Sequence, residues 1–391
     1  MLQSLLKSKG VTQAELARKL GISPTSVWRL LKMHQLPQNG RAAVLEKLRG
    51  TMCALGVPDD DISKAMAALE TGPNQTTDTT KQTDEKDEKK DDIMALRHHT
   101  LSQQARQVFG IFRDPFAQPE QPDDVYLSPS IRYAREALYQ AATHGNFLAL
   151  VGESGSGKST LRRELIERLN RDNGDVIVIQ PYVLTMAQTD NGAGKPLRTS
   201  HIIESILHAL DPSTSTSSSP EVLARRVHEA LQRSSRAGNR HCLIIEEAHD
   251  LHPQTLKALK RFYELEDGMR RLLSIILIGQ TELALRLSTS AADVREVVQR
   301  IDVVQLGALE DVEAFLRFRM KSAGVDADAV FEKDAYRAIK ERLLVSRDNR
   351  GTAIDMAYPL AVSNLTAACI NEASAMGFDK VDADLVATVK P

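Results

Sequence analysis

The chain has 391 residues, of which 42% are hydrophobic and 26% charged, enough for two or three water-soluble domains. Its formal net charge of -2 selects no partner by itself. Cys53, Cys242 and Cys369 lie too far apart for a disulfide scaffold or a metal cluster, so they read as reduced and mostly buried thiols. The longest apolar runs fall far short of a membrane span, and the amino terminus lacks the apolar core of a signal peptide. A cytosolic protein with no membrane partner is the expectation.

Residues 1–70 read as a small all-α domain. Thr12 and Glu15 have capping-box spacing, and Leu16 and Leu20 give the helix that follows an apolar side. Gly21 marks a turn, Ser23 caps a second helix and Pro24 opens it. Val27, Leu30 and Leu31 face inward, leaving Thr25, Ser26, Trp28, Arg29 and Lys32 on the other face. Two short helices joined by a tight turn make the helix-turn-helix arrangement. Residues 1–49 carry nine Lys or Arg against two Glu, a surface able to neutralise DNA phosphates. A helical protein-docking domain is the alternative. Ala42, Val44, Leu45 and Leu48, then Ile62, Ala65, Met66 and Leu69, complete the domain's core.

Residues 71–92 contain seven acidic and four basic residues and no core former, which predicts a disordered linker. A larger domain is expected over 93–310. Pro129 begins a helical stretch, and Phe147–Val151 is a short apolar strand. The strand runs into Gly152-Glu153-Ser154-Gly155-Ser156-Gly157-Lys158-Ser159, followed by Thr160 and a helix-spaced segment. This is the full eight-residue phosphate loop. Its backbone amides face a phosphate at a helix N-terminus, Lys158 reaches the β- and γ-phosphates, and Ser159 holds Mg²⁺. ATP and Mg²⁺ are the ligands this pattern implies.

Further buried strands are expected at 175–180 and 241–247, with helices between them. The second strand ends in two carboxylates. Glu246 takes the place near Mg²⁺ and its water, and Glu247 is the candidate to polarise the attacking water. His249 and His252 have i,i+3 spacing, which favours loop or partner contacts over a metal site. Leu256, Leu259, Phe262 and Tyr263 line a helix whose Lys257, Lys260 and Arg261 point outward, toward DNA or solvent. Residues 273–279 form another strand, and Gln280 after it is placed to sense the γ-phosphate. Arg300, or else Arg295, is the candidate arginine finger across a subunit interface; a surface ion pair is the alternative.

Residues 311–391 read as all-helical, with helices over 315–320, 329–345 and 354–375, the last interrupted near Pro359, and a short one at 382–389. Such a region would serve as a lid over the nucleotide. Arg350, at a helix entrance, is the candidate to reach the γ-phosphate from it.

These motifs, with Asp114-Pro115-Phe116, Tyr126-Leu127-Ser128-Pro129, Gly279-Gln280-Thr281-Glu282-Leu283 and Gln299-Arg300-Ile301, resemble the AAA+ ATPases. Within them the likeness is to the ExeA-like/transposition ATPase group. The amino-terminal segment resembles phage-repressor-like helix-turn-helix domains, which puts Thr25, Ser26 and Arg29 on a recognition helix. The resemblance implies an α/β P-loop core with a parallel sheet and a helical lid, behind the small all-α domain. It also implies ATP-dependent homo-oligomers or helical filaments on nonspecific double-stranded DNA that present the DNA to a transposase. A bacterial cytosolic setting, with a phage or transposon as source, goes with it. Glu246 where the group has Asp, the long linker, and the lack of Gly-Pro-Arg before Arg350 are departures from the group. An ATP-responsive transcription regulator and a secretion or envelope-assembly ATPase are the rival readings.

Overall fold

The computed structural model describes residues 13–22, 27, 30, 41–54, 58, 62, 99–172, 174–181, 197–213, 219–289, 298–346 and 353–389. These fall into two compact units. One spans 118–311 together with 356–360; the other combines described residues of 1–117 with 312–355 and 361–391.

At the amino-terminal end, α1 (Gln13–Leu20) buries Leu16 and Leu20 and stops at Gly21, whose φ of 69° only glycine adopts cheaply. Val27 and Leu30 are buried, as is one stripe of α2 (Arg41–Ala54), namely Val44, Leu48 and Met52. Of the apolar positions expected to make this core, Leu16, Leu20, Val27, Leu30, Val44, Leu48 and Ile62 are buried and Leu45 is half-buried, while Leu31, Ala42, Ala65, Met66 and Leu69 lie outside the residues whose side chains are described; Met52 is an addition. Two of the three free thiols, Cys242 and Cys369, are buried, as expected for most of them, and Cys53 is exposed.

Helix α3 (Gln103–Val108) is capped by Ser102. It belongs with the carboxy-terminal helices: Asn371 accepts from the Ser102 amide at 2.8 Å and donates to the Thr100 carbonyl at 2.9 Å. Asp114 closes the turn after it, accepting from the Phe116 amide and pairing with Arg106 at 3.1 Å.

The central unit begins with α4 (Pro129–His144), which ends at Gly145, and β1 (Phe147–Gly152). Then come α5 (Lys158–Arg171), β2 (Val176–Ile179), α6 (Thr199–Leu210), α7 (Pro220–Arg236) and β3 (Arg240–Ile245). After these follow α8 (Pro253–Tyr263), a two-strand hairpin of β4 (Glu266–Asp267) and β5 (Arg270–Arg271), β6 (Ser274–Gly279), α9 (Thr281–Thr289) and β7 (Asp302–Leu306). The five long strands make one sheet in the order β2-β3-β6-β1-β7, and every pairing is parallel.

The near-continuous apolar strands follow from this. A parallel sheet is covered on both faces, so alternate residues of one strand enter two different cores. Phe147, Ala149 and Val151 of β1 join Leu243, Ile245, Ile275 and Leu277 beneath α6, α7, α8 and α9. Leu148 and Leu150 join Cys242, Ile244, Ile276 and Ile278 beneath α4 and α5. A near-buried pair, Arg135 with Glu164 at 2.7 Å, ties α4 to α5. Full burial of each such aliphatic side chain contributes about 1.5–3 kcal/mol.

The last region is not all-helical. In place of one helix over 329–345 there are α11 (Ala327–Val330), following α10 (Val312–Ser322), then α12 (Lys333–Arg342) and β8 (Leu344–Ser346). The chain turns extended at Phe331 and Glu332, where Phe331 bridges to Val381. β8 pairs antiparallel with β9 (Ala353–Asp355). The β-branched residues Val345 and Ile354 in this pairing suit a strand better than a helix. The helix expected from 354 therefore starts at Pro359, as α13 (Pro359–Met376); α14 (Ala383–Thr388) follows. Proline is well placed at a first helical turn because its missing N–H is unneeded there.

Candidate nucleotide site

The strand order decides where the chemistry can sit. β1, carrying the phosphate loop, and β3, carrying the two carboxylates, are separated by β6. The carboxyl ends of all three strands therefore line one edge, where ligands of open parallel sheets bind.

The loop itself is shaped by its glycines. Gly155 and Gly157 have φ of 77° and 99°, values that L side chains rarely adopt. A Cβ on Gly152 would lie 2.7 Å from Ser156 Oγ and 3.1 Å from the Leu306 carbonyl oxygen, so the chain passes too close to β7 for any side chain. A Cβ on Gly155 would lie 2.6 Å from Leu360 Cβ, and the Leu360 amide donates to the Gly155 carbonyl at 3.3 Å.

Lys158 Nζ donates to the Gly152 and Glu153 carbonyls, each at 2.8 Å, so its charge sits in the curl of the loop. Burial pulls its ammonium below the ordinary range, and the carboxylates of Glu247, Glu153 and Glu282 act against that. The Ser156 hydroxyl is buried and has no hydrogen-bond partner among the described residues. An orphaned buried hydroxyl, a glycine cradle and a lysine turned inward fit the phosphates of a nucleotide. Ser154 and Ser159 are exposed, Thr160 partly so.

Glu246 stands just past β3 and pairs with Arg162 of α5, Oε1 to Nε at 2.8 Å. The pair fixes the carboxylate beside the helix that carries Ser159. Ser159 and Glu246 are the residues that would hold Mg²⁺, which would neutralise charge on the phosphates; Glu246 would have to share its carboxylate with Arg162. Sequence reasoning missed Arg162; its position four residues after Lys158 on the same helix was the available signal.

Glu247 has φ of 48°, the only positive value among described non-glycine residues. This sharp exit from the strand leaves its side chain 58% exposed, projecting past the sheet edge. Gln280 follows β6 directly, and its amide donates to His249 Nδ1 at 3.4 Å. Thr281 Oγ1 donates to Glu153 Oε1 at 2.7 Å, which ties the phosphate loop to the start of α9. Thr281 and Leu360 had no sequence signal, since both contacts join segments far apart in the chain.

The two histidines have separate tasks. His252 caps α8, its Nδ1 accepting from the Gln254 amide at 3.2 Å, while His249 faces Gln280. Lys257 and Arg261 are exposed on α8, and Lys260 is half-buried and 3.9 Å from Glu264. Arg300 also pairs with Glu264, at 2.6 Å. Within one chain, then, the candidate finger is engaged in an ion pair. Thr25, Ser26, Arg29, Lys32, Arg295 and Arg350 lie outside the described residues.

Residues 141–287 match the AAA domain family, and residues 1–33 match a winged helix-turn-helix DNA-binding family rather than a repressor-like one. General secretion pathway protein A of Aeromonas hydrophila is 28% identical over 222 residues, 56% of this chain. The match spans 38% of that relative's length. Among solved structures, the ORC2 protein of Aeropyrum pernix aligns over 70% of each chain with a TM-score of 0.45 and 16% identity. Cdc6p of Pyrobaculum aerophilum aligns over 71% of this chain and 68% of its own, with a TM-score of 0.46 and 14% identity. Among the described residues, no helix is long and apolar enough to cross a membrane. The chain thus carries an α/β core with a phosphate loop and a five-stranded parallel sheet that matches the AAA domain family over residues 141–287, behind an amino-terminal segment that matches a helix-turn-helix family.

Proposed function

We propose that this ATPase is an ATP-controlled DNA-binding oligomer that assembles along duplex DNA with little sequence preference and delivers it to a transposase. The observation that carries the reading is the presence in one chain of a nucleotide site and a match to a DNA-binding helix-turn-helix family. Supporting it, α8 presents Lys257 and Arg261 to solvent. Nucleotide between subunits favours assembly, and hydrolysis favours release. In that cycle Lys158 holds the phosphates, Glu247 takes the proton of the attacking water, Gln280 senses the γ-phosphate, and Arg300 or Arg295 acts from a neighbouring subunit. Arg300 would have to leave Glu264 to do so. Arg350 would report the γ-phosphate to the carboxy-terminal helices.

A secretion-linked ATPase is the second reading, favoured by the likeness to General secretion pathway protein A. The test is binding of the full chain to random duplex DNA in ATP, ADP or no nucleotide, followed by sedimentation and electron microscopy, with the Glu247→Gln variant alongside. ATP-dependent filaments on random duplex, persisting in the variant because turnover has stopped, support the proposal. Binding to a single operator would favour a transcription regulator, and DNA binding indifferent to ATP would favour the secretion reading.

A further inference from the structure

His249 joins two groups that the sequence keeps 33 residues apart. It lies on a single 3-10 turn, Ala248–Asp250, immediately after the sharp bend at Glu247. Its side chain is only 15% exposed. On one side, Nδ1 accepts the Gln280 amide proton at 3.4 Å; on the other, it lies 3.5 Å from Glu247 Oε2. Accepting that proton requires a lone pair on Nδ1. Nε2 faces Asp250 Oδ1 at 3.9 Å.

The surroundings leave the ring little room. A Cβ at Gly279 would come within 3.2 Å of the His249 amide nitrogen, so β6 ends hard against this turn. Arg286 of α9 donates to the Leu251 carbonyl at 3.1 Å and pins the turn from the far side. A mostly covered imidazole thus stands between a strand end and a solvent-facing carboxylate.

We propose that the Nδ1 lone pair of His249 is a positioning element for ATP hydrolysis, anchoring the backbone at Gln280 in register with Glu247. This rests on Glu247 as base and Gln280 as phosphate sensor. His249 touches neither nucleotide nor water in this role. It sets the distance between the group that activates water and the group that reads the γ-phosphate, and such spacing errors cost about 100-fold in rate for about 1 Å.

Two substitutions separate an acceptor at Nδ1 from bulk alone. Asn places its Oδ1 where the ring has Nδ1, and Gln places its polar end where the ring has Nε2. In the full chain, His249→Asn should keep turnover within about threefold of wild type, and His249→Gln should lower kcat by about tenfold or more. Nucleotide affinity should stay within about threefold in both, since the loop around Lys158 is untouched. Hydrogen exchange of the 277–283 segment should quicken in His249→Gln and not in His249→Asn, a readout that survives a poorly active preparation. Equal activity in the two variants, whether high or low, overturns the proposal, as does unchanged exchange in His249→Gln. Glu247→Gln is measured in parallel. If that variant turns over normally, the base assignment fails, while the Asn–Gln contrast still decides whether His249 anchors Gln280.

Discussion

The two ends of the parallel sheet are built on opposite principles. At the carboxyl end, β1, β3 and β6 stop in a glycine loop, two carboxylates and a glutamine, with backbone bent into left-handed conformations and a buried hydroxyl left without a partner. At the amino end, the same strands start in closed packing. Ser274 Oγ lies 3.1 Å from the Ala142 carbonyl and 2.9 Å from the His241 carbonyl, and His241 Nδ1 donates to the Leu272 carbonyl at 2.8 Å. Beside them, burial pushes the Cys242 thiol up to about 12, so it is an inert filler rather than a nucleophile. One end leaves polar groups and strain available for a ligand; the other turns Ser274 Oγ and His241 Nδ1 onto carbonyls of the fold, with His241 Nε2 buried and without a hydrogen-bond partner among the described residues. Substitutions at the carboxyl end should therefore alter nucleotide binding with little change in stability, and those at the amino end should do the reverse.

The largest effect expected is at Lys158. Lys158→Ala removes the charge held in the loop, and nucleotide affinity should fall by about 100-fold, the scale of a lost charged hydrogen bond. The melting temperature without nucleotide should hold, as measured by calorimetry beside a nucleotide titration. A fall in melting temperature that matches the loss of affinity would erase the contrast between the two ends. Gly155→Ala comes next. It imposes a left-handed φ of 77° on an L residue and a 2.6 Å contact with Leu360 Cβ. Distortion of about 1–3 kcal/mol should weaken nucleotide binding by about tenfold or more. Adding Leu360→Ala relieves the contact but not the φ, so it should restore only part of the affinity. Full restoration would show that space, not conformation, keeps glycine there.

The same contrast explains what was legible in the sequence. The phosphate loop is local: its glycines, Lys158 and Ser159 lie within eight consecutive residues, and the apolar runs of β1, β3 and β6 announce a doubly covered sheet. The opposite wall of the site is not local. That β6 lies between β1 and β3 is a fact of strand order, and apolar runs do not encode it. The contacts of Arg162 with Glu246, Thr281 with Glu153, and His249 with Gln280 all follow from that order. The helix expected over 329–345 failed for a different reason. Its apolar residues have helical spacing on both sides of Phe331, but the chain turns extended there to bridge Val381, a tertiary contact that overrides local pattern. The hairpin of β4 and β5 was also missed, because each strand is only two residues long.

At the amino end the expected effects are smaller and fall on stability. Ser274→Ala leaves the buried Ala142 and His241 carbonyls without that hydroxyl, and should cost about 1–2 kcal/mol in denaturant unfolding while nucleotide affinity stays unchanged.

The finest test of the contrast is the pH dependence that His241 imposes. Burial holds its imidazole below the ordinary histidine range, and the bond to the Leu272 carbonyl only partly opposes this. The folded chain therefore keeps His241 neutral at pH values where the unfolded chain has begun to protonate it. Unfolding then takes up a proton, and stability falls as pH drops below about 6.5, by up to about 1.4 kcal/mol per pH unit from this site, levelling off below the folded-state value. Above about pH 8 the site contributes almost no slope. Other groups titrate in the same window, so the difference between wild type and His241→Asn is what isolates it. Asn offers the Leu272 carbonyl a donor and takes up no proton. The stability advantage of wild type over this variant should shrink as the pH is lowered from 7.5 to 5.5, with nucleotide affinity unaffected by the substitution at either pH. A stability difference that stays constant across that range would mean that His241 protonates as readily folded as unfolded, and that the amino end of the sheet is open to water in a way its packing denies.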